Sequence, residues 1–308
     1  MIVTLYEQNG PIEVEFRDVG HAYKVAGDKK TGVTTITGLL NKPELLPWAA
    51  FMAAEAFKEA VTPYATTPQQ ITKAELKKLA DEAKKAHAKK SSYGKDVGTI
   101  THAWIKEEIS NNLRPMKVPT FTVSTLLSID AEIEKISQSK RKNKDAEVAK
   151  LQADAQALRE NTTVAEHCIA EWRKFVADYG IHFQKSEFIV YSKKLDYCGT
   201  VDGLMYSTKL NSRVYILDYK TSEPQKKRNQ FYQIVGHKPY PEHFVQMAGY
   251  DYAHFEETGV TPDGYMVVYL PKDKPYQVFT REDVVADRLG WEGLVRAFNW
   301  LVTLKKGG

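Results

Sequence analysis

The chain has 308 residues, of which 43% are hydrophobic and 27% charged, and a formal net charge of +4 at pH 7. That length and apolar content suffice for one large α/β core with helical additions or for two modest domains, and the mild positive charge is compatible with a basic groove for an anionic partner. No uninterrupted apolar run approaches a membrane span, two cysteines are too few for a four-cysteine iron–sulfur cluster, and no Gly-x-x-x-x-Gly-Lys-Ser/Thr element holds a nucleotide for a motor. The opening lacks a basic region followed by an apolar stretch, and Cys168 and Cys198 are far apart in sequence, so the expectation is a soluble, cytoplasmic protein with no membrane partner.

In chain order, residues 3–6, 12–16 and 22–25 read as short strands divided by Asn9-Gly10 and Gly27-Asp28. Thr34, Thr35 and Ile36 introduce a helix, Pro43 and Pro47 punctuate, and the alanine-rich residues 48–57 predict a mostly buried helix. Residues 63–68 read as a loop and 72–90 as a helix whose paired lysines, ending in Lys89 and Lys90, run into Ser91-Ser-Tyr93-Gly-Lys95. A helix over 96–110 carries His102. From 124 to 179 only helices are expected. Residues 129–158 are dominated by Glu, Lys, Ala, Gln and Asp, with apolar positions too sparse for a sustained coiled coil, so they predict an inserted helical hairpin or arm bending near 140–144. Residues 164–179, with Trp172 and Phe175, form an amphipathic helix suited to packing on a sheet.

Three strands follow, at 187–191, 198–206 and 213–219, and their short links make them antiparallel. A long connection over 221–240 leads to a helix at 241–257, with Pro241 at its first turn and Gly259 as its stop. Residues 264–270 read as a strand able to lie parallel in the same sheet, 276–280 as another strand, and 281–305 as a closing helix. The fold class is therefore α/β.

The chemistry concentrates on the second and third of those strands. Sixteen residues separate Asp202 from Asp218, and Lys220 follows Asp218 by two. Residues 214–217 are an apolar, β-branched run, so a period of two places Asp218 and Lys220 on one face at the strand's end. Asn211-Ser212 is turn chemistry, and a hairpin there brings Asp202 beside Asp218. Two adjacent carboxylates repel unless Mg²⁺ or Mn²⁺ takes both as hard oxygen ligands. An ion so held, with a lysine beside it, meets the needs of phosphodiester hydrolysis: neutralised charge on the phosphate, an activated water and a stabilised leaving oxygen.

Other elements stand in a telling order around this pair. Gly32-Val-Thr34-Thr35-Ile-Thr-Gly-Leu-Leu lies near the N-terminus, Gly98-Thr99-Ile-Thr-His102 opens a helix, and Glu187 sits in a strand about a dozen residues ahead of Gly199-Thr-Val-Asp202. Asp218-Tyr219-Lys220 and Gln246-Met-Ala-Gly-Tyr250 follow. With these motifs the chain resembles the PD-(D/E)XK (restriction-endonuclease-like) nuclease superfamily, and within it the RecB-like and phage-type exonuclease branch.

The resemblance implies a mixed central β-sheet flanked by helices with helical insertions, in a single nuclease domain over 1–308. Within it fall an N-terminal β-rich and helical region at 1–95, a His-bearing helix at 96–120, a helical arm at 121–180 and a catalytic core at 181–308. It implies Asp202 and Asp218 at the metal, His102 completing the coordination, and the Tyr219 carbonyl adding an oxygen. Glu187 orders water or joins a second ion, Lys220 orients the attacking water, and Gln246 and Tyr250 position the backbone or Lys220. The cofactor is Mg²⁺ or, given a nitrogen ligand, Mn²⁺.

The implied partner is DNA at linear ends, single- or double-stranded, in phage or bacterial replication or recombination, with a homo-oligomer or a further replication or recombination protein as possible company. Thr34, Thr35, Lys89, Lys90, Tyr93, Lys95 and Thr99 are the DNA-contacting candidates ahead of the acidic pair. Lys226, Lys227, Arg228, Phe231 and Tyr232 are those in the 221–240 connection, which is longer than in relatives and combines cations for phosphates with rings for unstacked bases. The arm at 121–180 could grip DNA, mediate self-association or do neither. An endonuclease of the same superfamily and a catalytically silent DNA-end-binding protein are the alternatives.

Overall fold

In the computed structural model, which describes all residues except 9, 18–19, 41–44, 67–69, 140–142, 230–232 and 307–308, the N-terminal segment forms antiparallel strands β1 (Ile2–Leu5), β2 (Ile12–Arg17) and β3 (Ala22–Val25). Leu5, Val14, Phe16, Tyr23 and Val25 alternate into one small core, the period-two signature of strands with one covered face. A fourth strand, β4 (Asp28–Gly32), occupies the expected turn region. Its Lys29-Lys30 carries no apolar pattern, and pairing with β3 is what holds it extended. The expected punctuation at Asn9, Pro43 and Pro68 lies outside the described residues.

The helices depart from expectation at their limits. α1 (Val33–Thr37) is short, and α2 (Leu45–Thr66) continues through Pro63 rather than ending before it. One proline removes one hydrogen bond, which several preceding alanine-rich turns tolerate. The described side chains of residues 51–65 are half-buried or exposed, not mostly buried: alanine gives propensity but little area to bury, and α2 packs against other helices, α3 (Lys73–Ala83) and α4 (Ala86–Ser110). Thr72 and Glu75 form a reciprocal capping box at the start of α3. The break expected at Ser91–Gly94 falls instead at Lys84-Lys85, and α4 runs unbroken across residue 95. Val97, Ile100, Trp104 and Ile105 anchor it in the core, and the helix propagates back from that anchor through Ser91, Ser92 and Gly94, whose propensity penalties are each about 1 kcal/mol or less.

α5 (Thr120–Ser137) and α6 (Lys144–Tyr179) pack together as the expected helical hairpin, with residues 140–142 of its bend outside the described set. The second half of α6 buries Ala165, Cys168, Ile169, Trp172 and Phe175. A buried Glu108 on α4 accepts from Arg173 on α6 and from the Met116 N–H, which locks these helices together.

The central strands are β5 (Ile181–Ser192), β6 (Tyr197–Ser207) and β7 (Arg213–Lys220), all antiparallel neighbours. Asn211 and Ser212 turn β6 into β7 with φ of 54° and 56°. The connection expected as a plain loop contains a two-stranded hairpin, β8 (Gln225–Arg228) with β9 (Ile234–Lys238). Charged residues on β8 hide this strand from an apolar pattern; the cross-strand ladder is what stabilises it. α7 (Pro241–Thr258) crosses to β10 (Gly264–Tyr269), which is parallel to β7, and β11 (Gln277–Arg281) and α8 (Val284–Lys306) complete the chain.

Among the described residues the main sheet has nine strands, ordered β1-β2-β3-β4-β6-β7-β10-β11 with β5 on the other edge of β6. α4 and α6 cover one face through Trp104, Trp172, Phe175, Met205, Leu217 and Val268. α1, α7 and α8 cover the other through Ile36, Met247, Tyr265, Val267 and Trp291. The result is a mixed central sheet flanked by helices with helical insertions. Among the described residues no helix is long and apolar enough to cross a membrane.

His254 on α7 is 3% exposed and meets Phe188 of β5 edge-on at 5.8 Å. Burial, helped by Lys185 and Arg288, pushes its pKa down to about 4 from 6.5. The unfolded chain takes up this proton below pH 6.5 and the folded chain only near 4, so stability is lost on acidification through that window, by about 3 kcal/mol at its lower end. Urea melts of wild type and His254→Gln across this range should show a shallower fall in the variant. Equal slopes would clear the imidazole of responsibility.

Candidate metal centre

β5 lies along one edge of β6 from end to end. On the opposite edge β7 accompanies β6 from Ser207 to Gly203, and β4 meets it at Tyr197 and Cys198. Between those partners, Gly199, Thr200, Val201 and Asp202 face a gap in the ladder. One step beyond the Gly203–Leu217 pair, Asp202 would stand opposite Asp218, but the ladder has stopped. The Tyr219 N–H left without a strand acceptor donates to Asp202 Oδ2 at 3.1 Å. The gap therefore opens a space between two strand ends and supplies the first polar contact within it.

Two elements send ligand-type side chains toward Asp202. On β5, Glu187 lies between the Ser186–Gly203 and Phe188–Val201 pairs and adopts φ 47°, a left-handed conformation that costs a non-glycine residue about 1–3 kcal/mol. The Tyr219 hydroxyl donates to Glu187 Oε1 at 3.1 Å. On α4, the His102 ring packs against the Tyr219 ring at 4.5 Å, and its Nδ1 stands 3.9 Å from Asp202 Oδ1. His102, Glu187 and Asp202 each offer one ligand atom, and these atoms lie within 4.8 Å of one another, a cluster able to hold a divalent metal ion. One nitrogen and two carboxylate oxygens are the donor types that divalent ions take.

Beside the triad, Asp218 Oδ1 accepts from Lys220 Nζ at 2.7 Å and from the Gln246 amide at 3.4 Å. Gln246 also donates to the Tyr250 hydroxyl at 2.7 Å. Asp218 is fully buried, and among the described residues its Oδ2 has no hydrogen-bond partner. A buried carboxylate oxygen left in this state is unfavourable by itself and is the kind of atom a cation completes. Gly199 explains how α7 comes so near: a Cβ there would stand 2.6 Å from the Tyr250 ring, so a side chain would force helix and strand apart.

Burial dominates the electrostatics. It pushes Asp218 up to about 6 and raises Asp202 as well, with Lys220 opposing both and the Tyr219 N–H also opposing the rise at Asp202. Burial alone would lower Lys220, but Asp218 and Asp202 together outweigh it and hold the ammonium above its usual range. Burial and the charge of Lys220 push His102 down to about 4, which leaves its ring neutral and able to donate a lone pair near neutral pH. Two carboxylates thus share one lysine, and the site carries an excess of negative charge.

The structure brings His102, Glu187, Asp202, Asp218, Lys220, Gln246 and Tyr250 together. Glu187 differs from its implied secondary place in that it stands in the triad itself. Tyr219 reaches the site through its N–H and hydroxyl, atoms that the implied carbonyl role does not use. Thr34 and Thr35 are exposed on α1, whose Val33 borders Gly199. Lys89, Lys90, Tyr93 and Lys95 are exposed on α4 ahead of His102, and Lys226 and Lys227 are exposed on β8. Thr99 lines a separate cavity of about 270 Å³ with Phe121 and Asn161. Phe231, Tyr232 and the Arg228 side chain lie outside the described residues.

Sequence reasoning missed His21, in the turn between β2 and β3, which comes near both His102 and Asp202. No local pattern marks it, because only the packing of β3–β4 beside β6 brings that turn near.

No family model matches the chain, and no curated protein matches it. Among solved structures it is similar to a Eubacterium rectale protein bearing the name "Putative exonuclease", at 13% identity over 70% of this chain and 80% of that one, with a TM-score of 0.34. It is also similar to a protein named SSO0001, at 12% identity over 67% of this chain and 86% of that one, with a TM-score of 0.26. Neither likeness bears on the site, whose reading rests on its own geometry.

Asp202→Asn tests the triad without enlarging a side chain. Calorimetric titration with Mn²⁺ should show affinity falling at least about tenfold, because a carboxylate ligand becomes a neutral amide. In EDTA the variant should melt at or above the wild-type temperature, since a buried charge is removed while the Tyr219 N–H keeps an oxygen acceptor. Unchanged Mn²⁺ affinity would remove Asp202 from the ligand set.

Proposed function

We propose that this chain is a metal-dependent nuclease that hydrolyses DNA phosphodiester bonds from ends, an exonuclease of the RecB-like and phage-type branch of the PD-(D/E)XK superfamily acting in replication or recombination. The observation that carries the reading is the meeting of His102, Glu187 and Asp202 with the buried Asp218–Lys220 pair in one gap of the sheet. The orphaned Asp218 Oδ2 fits a cation there. A preference for ends is supported by the resemblance of the segments around Thr34 and His102 to phage-type exonucleases. The chain forms one nuclease domain on this reading, with residues 121–180 as a helical arm.

A bound Mg²⁺ or Mn²⁺ supplies Lewis acidity toward the phosphate and lowers the pKa of water. His102, Glu187 and Asp202 would hold it, and its charge would stabilise the buried Asp218 Oδ2, which has no hydrogen-bond partner among the described residues. Asp218 also fixes Lys220, so the ammonium is already in place to offset charge developing on the phosphate and to orient the attacking water. Gln246 holds Asp218 and Tyr250 in turn, which limits rearrangement as substrate enters. The exposed Lys89, Lys90, Lys95, Lys226 and Lys227 meet the DNA backbone on either side.

Incubation of end-labelled linear DNA and covalently closed circular DNA with Mg²⁺, Mn²⁺ or EDTA is the decisive assay. Linear DNA should shorten only with metal, circular DNA should survive, and Lys220→Ala should lower the rate by about a hundredfold or more while DNA binding persists. Cutting of the circle would move the reading to an endonuclease. Failure to cleave either substrate under any metal would leave a DNA-end-binding protein.

A further inference from the structure

Lys272 was marked by no sequence motif, yet it lies against α4, the helix that carries His102 to the metal centre. β10 ends level with Lys220, and the Leu270 N–H donates to the Lys220 carbonyl at 2.7 Å, so Lys272 follows two residues beyond that contact. Its Nζ lies 4.5 Å from the centre of the Tyr93 ring and 3.8 Å from the place a Cβ would take on Gly94. One turn along α4, the corresponding position on Gly98 is 3.3 Å from the hydroxyl of Thr221, the residue after Lys220. The next turn carries His102. Gly94, Gly98 and His102 share a helix face at steps of four, so Lys272, Thr221 and the metal cluster succeed one another over roughly 12 Å.

The state of Lys272 calls for an anion. The side chain is half-buried, and among the described residues no carboxylate stands within ion-pair distance of its ammonium. Burial, with the charge of Lys90 added, holds it below the usual lysine range. A cation partly withdrawn from water without a counter-charge is unfavourable until one arrives. Tyr93, 41% exposed, offers an aromatic surface beside that cation, the pairing used to hold an unstacked base next to its phosphate.

We propose that Lys272 and Tyr93 form a strand-gripping subsite for single-stranded DNA, the ammonium binding a phosphate and the ring a base, a few nucleotides from the bond held at the metal centre. The spacing follows from the 12 Å separation and about 3.4 Å per stacked nucleotide. This subsite rests on the nuclease reading for its purpose, but its contacts with a strand are measurable without any cleavage.

The test is fluorescence anisotropy with a labelled single-stranded oligonucleotide of about twelve nucleotides in EDTA, titrated across roughly 50–200 mM salt. Lys272→Gln should weaken binding about tenfold and flatten the plot of log Kd against log salt by about 0.7, the increment of one single-strand phosphate contact. Lys272→Arg should keep the slope. Tyr93→Ala should lose affinity at an unchanged slope, which also keeps the test open should Lys272→Gln fail to fold. Lys209→Gln, an exposed lysine at the turn on the far end of β6, should match wild type. A wild-type slope in Lys272→Gln, unchanged affinity in Tyr93→Ala, or a wild type that binds no oligonucleotide overturns the subsite even if DNA is cleaved. Absence of cleavage with the expected loss of slope would instead remove the nuclease reading and leave the strand grip standing.

Discussion

The structure turns on the place where β6 parts from β7. A continued ladder would set Asp202 directly against Asp218 with backbone hydrogen bonds filling the space between them. Because pairing stops at Gly203 and Leu217, the two carboxylates face each other across a break in the ladder, and a backbone N–H is freed to orient one of them. β5 stays paired with β6 beside the gap and β10 with β7, so the opening is local and the sheet remains rigid around it. Rigid strands hold side chains to a tighter geometry than loops would.

The treatment of buried acids separates this site from the rest of the molecule. Glu108 is matched by Arg173, and Asp251 accepts from Arg288 at 2.5 and 2.8 Å and from the Tyr265 hydroxyl at 2.7 Å. Those carboxylates have partners for their charge and tie helices to one another or to the sheet. Asp202 and Asp218 have a single lysine between them, and one oxygen has no partner at all among the described residues. The left-handed backbone of Glu187 adds local strain at the same spot. Strain and uncompensated charge persist only where surrounding packing over-determines them, and here that packing is Trp172, Leu217 and Tyr219 on one face with Val201, Ile216 and Tyr250 on the other.

Much of this was open to reading from the chain itself. The strands carrying Asp202 and Asp218 are marked by apolar, β-branched runs, the turn by Asn211-Ser212, and the ends of α7 by Pro241 and Gly259. Each signal acts over a few residues, through side-chain alternation or backbone preference. The paired spacings also find physical reasons: Gly199 makes room for Tyr250, and Gln246 and Tyr250 meet because i and i+4 share a helix face. What escaped were elements whose stability comes from distant partners, such as β4 against β3 and β6, β8 against β9, and the first turns of α4 grown back from a buried anchor.

The sequence by itself determined which chemical groups were available and in what strand order, because period-two alternation and turn preference are local properties. It did not determine which of them meet. Glu187 enters the triad because the pairing of β5 with β6 sets it across from Asp202, His102 because α4 docks its core stripe against the same face as α6, and Lys272 meets Tyr93 because the chain leaving β10 passes beside α4. The contacts of His102 and Lys272 join residues roughly 85 to 180 positions apart, and the free energy that brings them together belongs to the packed sheet and its helices rather than to any segment alone.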